Sequence, residues 1–181
     1  PTPDTLEIDL AHVRRLMDAN TVALVGSAPQ FAHGTVDDID GLSHLALEHK
    51  CGLHVDCCLG GFVLPFARAL GGGYAAALPA GGFDFGVPGV TSMSVDTHKY
   101  GYAPKGTSVL LFRDAARRSA AYFAYPEWTG GLYTTPTIAG SRNGAVIAGA
   151  WASLVSLGHD GFVARTRKIL DEVRLIAEGI G

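Results

Sequence analysis

The stretch Leu53-His54-Val55-Asp56 decides the fold, because it is an apolar run of strand length that ends on a single carboxylate. The preceding Cys51-Gly52 ends a helical pattern, so the chain passes directly from helix to strand. In a sheet of parallel strands, ligands bind in the loops that follow the strand ends. The stretch therefore predicts a layered α/β fold with Asp56 at a functional edge.

Helices and strands alternate on both sides of this stretch. Asp9 is placed to cap the first helix, and Thr35 with Asp38 resembles a capping box that starts the second. A Gly- and Ala-rich segment, 71–82, predicts a loop. The predicted strands are 21–25, 53–56, 91–96 and 108–112, and the predicted helices are 9–19, 35–50, 145–157 and 160–180.

The composition indicates one globular domain. The chain has 181 residues, 48% of them hydrophobic, and a formal net charge of −3. This length suffices to bury a core. The sequence has no basic cluster that would predict nucleic-acid binding, and it has no uninterrupted apolar stretch that would predict a transmembrane helix.

The cysteines argue against a disulfide framework and against a metal site. Cys51, Cys57 and Cys58 are an odd number within eight positions, which fits a reducing, intracellular setting. Zinc cysteines usually come as spaced pairs, so the adjacent pair near His54 is a poor metal motif. We therefore expect no metal.

Asp56 and Lys99 both follow predicted strands, but neither position identifies a site by itself. An aspartate at a strand end is more often a helix cap or a turn residue, and a lone lysine is usually solvated surface. The wider sequence around the two residues has to decide between these alternatives.

Three segments strongly resemble the sphingosine-1-phosphate lyase family, namely HVDCCLGGF (54–62), SMSVDTHKYGYAPKG (92–106) and YTTPTIAGSRNGA (133–145). The resemblance runs from about Leu24 to Gly161. That family belongs to the fold-type-I pyridoxal-phosphate (PLP) enzymes and is related to the group II decarboxylases, which usually have Asn-Pro-His-Lys where this chain has Asp-Thr-His-Lys. The resemblance implies a three-layer, PLP-transferase-like large domain (aspartate aminotransferase fold type I), present in part.

The resemblance also implies roles for individual residues around a PLP cofactor. Lys99 would hold the cofactor as a Schiff base, and Asp56 would keep its ring nitrogen protonated. Cys58 would lie against a ring face, His98 near the cofactor phosphate and Ser27 near the ring hydroxyl.

Other positions are ambiguous. Lys105 would bind a substrate phosphate or be a loop lysine, and Arg142 would bind that phosphate through its fork of donors or form a domain-packing ion pair. His54 would be a buried strand residue or part of the site. The family usually has Ala-Cys after the aspartate, so Cys57 departs from its pattern.

The function that the resemblance implies is that of a PLP-dependent aldehyde-lyase of sphingolipid metabolism. It would cleave a phosphorylated long-chain amino alcohol, by a retro-aldol step, to a fatty aldehyde and phosphoethanolamine. A PLP-dependent amino-acid decarboxylase is the first alternative. A non-catalytic α/β domain that binds a phosphate ligand is the second.

The remaining expectations concern the whole protein. Residues 1–158 would be part of the PLP-binding large domain, and 159–181 a helix leading toward a C-terminal domain. Because the chain starts without methionine and stops directly after a helical pattern, we expect a fragment, poorly active by itself. We also expect a homodimer and a bacterial cytoplasmic location, with an upstream membrane anchor left open. The phosphate loop and the ring-stacking residue would lie upstream.

Overall fold

The computed structural model describes residues 1–76 and 78–180. Ala77, in the predicted loop 71–82, and Gly181, at the end of the predicted segment 159–181, lie outside the described residues. The helices are α1 (Leu10–Leu16), α2 (Ile39–His49), α3 (Leu64–Leu70), α4 (Gly72–Ala75), α5 (Ala115–Ala120) and α6 (Gly144–Ile180). The strands are β1 (Ala23–Ser27), β2 (Gly52–Asp56), β3 (Ser92–Val95), β4 (Val109–Phe112), β5 (Phe123–Tyr125) and β6 (Tyr133–Thr135).

Four strands form the main sheet in the order β1-β2-β3-β4. The pairings of β1 with β2 and of β2 with β3 are parallel, whereas β4 runs antiparallel to β3. The strands β5 and β6 form a separate antiparallel pair. Helices connect the parallel strands, as the right-handed crossover of α/β proteins requires, and the predicted α/β class is confirmed.

The two faces of the main sheet differ in polarity. Leu53 and Val55 of β2 are fully buried and share a core cluster with Ile39 and Leu42 of α2. Burying each such side chain contributes about 1.5–3 kcal/mol to stability. Because side chains alternate along a strand, the residues between them point to the opposite face. That polar face carries Ser27, His54, Asp56, Ser92 and Ser94.

The helix α2 begins later than the sequence pattern predicts. Asp38 is its N-cap residue, and the carboxylate accepts a hydrogen bond from the Gly41 backbone N–H at 2.8 Å. The predicted capping box at Thr35 is therefore wrong. The backbone carbonyl of Thr35 instead accepts a hydrogen bond from Gln30 in the preceding loop. The helix ends at His49, and its C-cap residue Lys50 adopts a left-handed conformation with φ 55°.

The long helical segment α6 is interrupted at Gly158, whose φ of 58° and ψ of −177° are not helical. The predicted break between two helices is confirmed. Phe162 stacks on Phe66 of α3 with 5.1 Å between ring centroids. Val173 and Ile176, which mark the apolar face of the predicted helix, are exposed. The division into 1–158 and 159–181 stays a prediction.

Among the described residues, α6 is the one helix that is long and apolar enough to cross a membrane. The mean hydropathy of its most apolar window is 1.2. Only its length and composition resemble those of a membrane-spanning helix, and the core helix of a soluble protein can have the same length and composition. Stacking of Phe162 on Phe62 as well as on Phe66 shows that α6 packs on the protein at this point.

The turn that follows β2 packs closely against the ends of the neighbouring strands. A Cβ atom on Gly60 would lie 2.1 Å from the Ala28 carbonyl oxygen, just beyond β1. A Cβ atom on Gly61 would lie 2.3 Å from a methyl group of Val95, at the end of β3. At Gly60 only glycine allows this close approach to a backbone oxygen, and at Gly61 the missing side chain leaves room for Val95. The segment after Asp56 therefore lies beside both strands.

Substituting Gly60→Ala should destabilise the whole protein by about 2 kcal/mol or more, because the new methyl group would meet a backbone oxygen that cannot turn away. The measurement is the urea midpoint of unfolding. Gly144→Ala is the control, since no described atom apart from its chain neighbours and the backbone of its own helix lies within 4 Å of the added Cβ. Equal midpoints for the two variants would contradict the proposed close packing.

Candidate active site

Asp56 is the last residue of β2, and its carboxylate is held on one side only. Its Oδ1 atom accepts hydrogen bonds from the Cys58 backbone N–H at 2.9 Å and from the Ser94 hydroxyl at 3.1 Å. Among the described residues, no nitrogen or hydroxyl donor reaches Oδ2. The carboxylate is thus oriented by two donors and keeps a second oxygen for another partner.

The Asp56 carboxylate is ionised at neutral pH. Partial burial acts to raise its pKa, but the hydrogen bonds from Cys58 and Ser94 outweigh that effect. The net pKa of Asp56 is lower than the ordinary value of an aspartate. The group can therefore attract a protonated nitrogen over the whole neutral range.

Lys99 lies in the turn that follows β3. Its Nζ atom is 3.1 Å from Oδ2 of Asp96, a residue in the same turn. A hydrogen bond with the Cys58 thiol, together with Asp96, raises the pKa of Lys99 although desolvation opposes the shift. The lysine is therefore an ammonium ion at neutral pH, and it must lose a proton before it can act as a nucleophile.

Asp96 is a site residue that the sequence interpretation missed. Its second oxygen accepts a hydrogen bond of 2.6 Å from the Ser108 hydroxyl, so the carboxylate that pairs with Lys99 is itself held in place. The three-residue spacing from Asp96 to Lys99 within the motif was the signal that could have identified it.

Cys58 lies beside both charged groups, since its backbone N–H donates to Asp56 at 2.9 Å and its thiol contributes to the raised pKa of Lys99. Burial raises the pKa of the Cys58 thiol, which is therefore neutral. Burial also raises the pKa of its neighbour Cys57 to about 12. Neither thiol is thus a reactive thiolate at neutral pH, and the described residues contain no cluster of three or more potential metal ligands.

A cavity of about 450 Å³ opens beside Asp56 and is also lined by Cys58 and Ser27. Lys99 does not line it. The loop after β1 forms the outer wall of the cavity. Asp37, which sequence reasoning missed, holds this loop by accepting hydrogen bonds from the Ser27 backbone N–H at 2.8 Å and the Gln30 side chain at 2.7 Å.

His98 is directed toward Asp96 and the strand that follows. Its Nδ1 atom is 2.9 Å from the Thr107 carbonyl oxygen, which can only accept, so Nδ1 carries the proton. Its Nε2 atom is 3.7 Å from the Asp96 carboxylate. The predicted contact of His98 with a cofactor phosphate stays a prediction.

Lys105 and Arg142 lie apart from this group. Both are exposed, and neither lines the cavity beside Asp56. Arg142 donates a hydrogen bond to the Thr137 hydroxyl. Among the described residues it forms no ion pair, so its domain-packing alternative has no support here. The roles of both residues in substrate binding stay predictions.

The donor set fits the PLP cofactor that the resemblance implies. An ionised carboxylate with a free Oδ2 atom can hold a protonated ring nitrogen, and Lys99 offers the amine that would join an aldehyde. Ser27 lines the same cavity as Asp56. Lys99 would have to leave Asp96 to take part.

Comparison with known proteins supports this interpretation. The family described as "Pyridoxal-dependent decarboxylase conserved domain" matches residues 19–181. A sphingosine-1-phosphate lyase of Arabidopsis thaliana is 50% identical over 99% of this chain and 32% of its own length. The chain spans about a third of the length of such curated relatives.

Solved structures give the same result. The sphingosine-1-phosphate lyase of Burkholderia pseudomallei has a TM-score of 0.82 at 51% identity, over 92% of this chain and 37% of that one. The glutamate decarboxylase of Lactobacillus brevis has a TM-score of 0.75 at 24% identity, over 96% of this chain and 38% of that one, which shows the fold alone. The predicted fold-type-I class is therefore confirmed.

Substituting Asp96→Asn should lower the pKa of Lys99, because it removes a carboxylate that stabilises the ammonium form. At a fixed pH of about 8, the free-amine fraction and hence the rate of acetylation at Lys99 should rise about 1.5- to 5-fold. Competitive labelling with acetic anhydride and peptide mass spectrometry measures this rate. The exposed Lys105 in the same digest is the reference, and an unchanged ratio of the two labelling rates would refute the role of Asp96.

Proposed function

Because the chain belongs to the pyridoxal-dependent decarboxylase family, we propose that the whole protein is a PLP-dependent aldehyde-lyase that cleaves a phosphorylated long-chain amino alcohol. The observation that carries the proposal is the position of Asp56, Cys58 and Lys99 at and just after the carboxyl ends of two neighbouring parallel strands. That group lies in a chain about half identical to sphingosine-1-phosphate lyases over nearly its full length.

Different residues of this chain would bind different parts of the cofactor. When bound, PLP supplies an aldehyde that joins amines and a protonated ring that accepts electrons. The free oxygen of Asp56 would hold the ring nitrogen, and Lys99 would hold the aldehyde carbon. Cys58, a neutral thiol between them, would pack on the ring, and Ser27 would face its hydroxyl.

The proposed reaction breaks the C2–C3 bond of the substrate. The proton of the C3 hydroxyl leaves, C3 becomes the carbonyl carbon of a long-chain aldehyde, and the electron pair of the broken bond stays with C2. A proton added at C2 then completes phosphoethanolamine. Lys99, next to Asp96, is placed to carry that proton once its amine is free.

A decarboxylase is the second candidate, and the surroundings of Lys99 count against it. In the group II decarboxylases an Asn-Pro pair usually precedes His-Lys. Here Asp96 stands in the position of the asparagine and forms an ion pair with Lys99. Analysis of the reaction products distinguishes the two candidates. Aldehyde from a phosphorylated amino alcohol supports the lyase, and carbon dioxide from an amino acid supports the decarboxylase.

Other features of the whole protein are also proposals. The family uses a small-molecule substrate, and we propose that the substrate here is the phosphorylated lipid. We also propose a homodimer and a cytoplasmic location. We expect the whole protein to bind PLP tightly whether it is a lyase or a decarboxylase, whereas a non-catalytic domain would bind none.

Borohydride reduction of the whole protein with PLP should fix the cofactor on Lys99, because reduction makes the bond between amine and aldehyde permanent. Peptide mass mapping identifies the modified residue. The variant Lys99→Ala should lose both the modification and the visible absorbance of bound PLP. Modification of Lys105 instead would overturn the assignment, and no modification at all would favour the non-catalytic alternative.

Substituting Asp56→Asn should lower kcat/KM about 100- to 1000-fold while the protein stays folded. A carboxylate beside a protonated nitrogen is worth about 4 kcal/mol at an effective dielectric of 20, which corresponds to a shift of at most about three pKa units in the cofactor ring. Steady-state kinetics gives the first value, and circular dichroism checks the fold. Activity within about twofold of the wild type would show that Asp56 does not hold the ring nitrogen.

A further inference from the structure

A row of four hydrogen-bonded side chains crosses the polar face of the sheet, and the proposed reaction uses only its last member. The Nδ1 atom of His54 is 2.8 Å from the Ser92 Oγ atom, and its Nε2 atom is 3.2 Å from the Ser94 Oγ atom. Ser94 Oγ is in turn 3.1 Å from Oδ1 of Asp56. The row therefore ends on the carboxylate that would hold the cofactor ring.

The hydrogen bonds in this row have a single direction. An ionised carboxylate only accepts, so the Ser94 hydroxyl gives its one proton to Asp56 and must accept from the Nε2–H of His54. Burial lowers the pKa of His54 and keeps the ring neutral. Its Nδ1 atom then has no proton and accepts from the Ser92 hydroxyl.

The strand register places these groups, so their spacing does not depend on flexible side chains. His54 pairs with Ser92 across β2 and β3, and Asp56 pairs with Ser94 two residues further along. Residues paired in this way stand on the same face of the sheet. The imidazole ring of His54 thus bridges the two serine hydroxyls of the neighbouring strand.

We propose that His54 is a positioning residue that acts through Ser94 on the Asp56 carboxylate and so sets the affinity of the site for a pyridine nitrogen. The inference rests on the proposed function, because it concerns how PLP is held. With His54 present, the Ser94 hydroxyl has one orientation, and Asp56 keeps Oδ2 toward its partner. Without His54, the hydroxyl can turn, and the carboxylate gains other orientations.

The test is a double-mutant cycle in the whole protein, read out as the Kd for PLP from the visible absorbance during reconstitution of the apoprotein. The variants His54→Leu and Ser94→Ala should each raise the Kd about 5- to 20-fold. Because His54 acts through Ser94, the double variant should bind PLP no more weakly than Ser94→Ala does. Effects that multiply would overturn the proposal, since they would show independent actions.

Two further variants separate positioning from simple packing. In His54→Gln the amide can still donate to Ser94, so the Kd should return to within about threefold of the wild type. Ser92→Ala removes a hydroxyl from the same strand face but leaves the donor to Ser94 in place, and should change the Kd by less than about twofold. No rescue by glutamine, or a larger effect of Ser92→Ala than of His54→Leu, would contradict the proposal.

A measurement on the wild-type protein tests the proposal even if the variants fail to fold. Neutron diffraction from crystals of the whole protein should show deuterium on Nε2 of His54 and none on Nδ1; the opposite tautomer would overturn the proposal. Failure of the wild type to bind PLP would overturn the proposed function together with this inference. Normal PLP binding with a multiplicative cycle would overturn the inference alone.

Discussion

The parallel, in-register pairing of β1, β2 and β3 is the constraint on which the site depends. It places Ser27, Asp56 and Ser94 side by side on one face at neighbouring strand ends. Side chains alternate along a strand, so a slip of one residue would turn Asp56 into the core and Leu53 out of it. The burial of the apolar face against α2 therefore also fixes which side chains lie on the polar face.

The site keeps its two opposite charges apart. Asp56 takes its hydrogen bonds from Cys58 and Ser94, while Lys99 takes its ion pair from Asp96. Among the described residues, the carboxylate of Asp56 and the ammonium of Lys99 form no direct ion pair. Because each group has its own partners, the two can bind different parts of one ligand.

Much of the fold could be predicted from local sequence, because its signals are local. The strands around Leu53 and the break in α6 are marked by apolar runs and by glycine, and the structure agrees to within a few residues. The start of α2 could not be predicted, because two residues three positions apart, Thr35 and Asp38, were both suitable caps. The path of the preceding loop, which bonds Gln30 to Thr35, decided between them.

By itself the sequence determined the four strands of the main sheet, the helices with a clear apolar pattern and the positions of its motifs, since periodicity and motif spacing are properties of neighbouring residues. It did not predict the short elements α3, α4, α5, β5 and β6. It placed Asp56 at the end of one strand and Lys99 shortly after another, and the resemblance to a known family then gave them their roles. Only the tertiary structure decided which groups surround them. The bonds from Ser94 to His54 and Asp56 join residues about 40 positions apart, and such contacts depend on strand register, which no local pattern specifies.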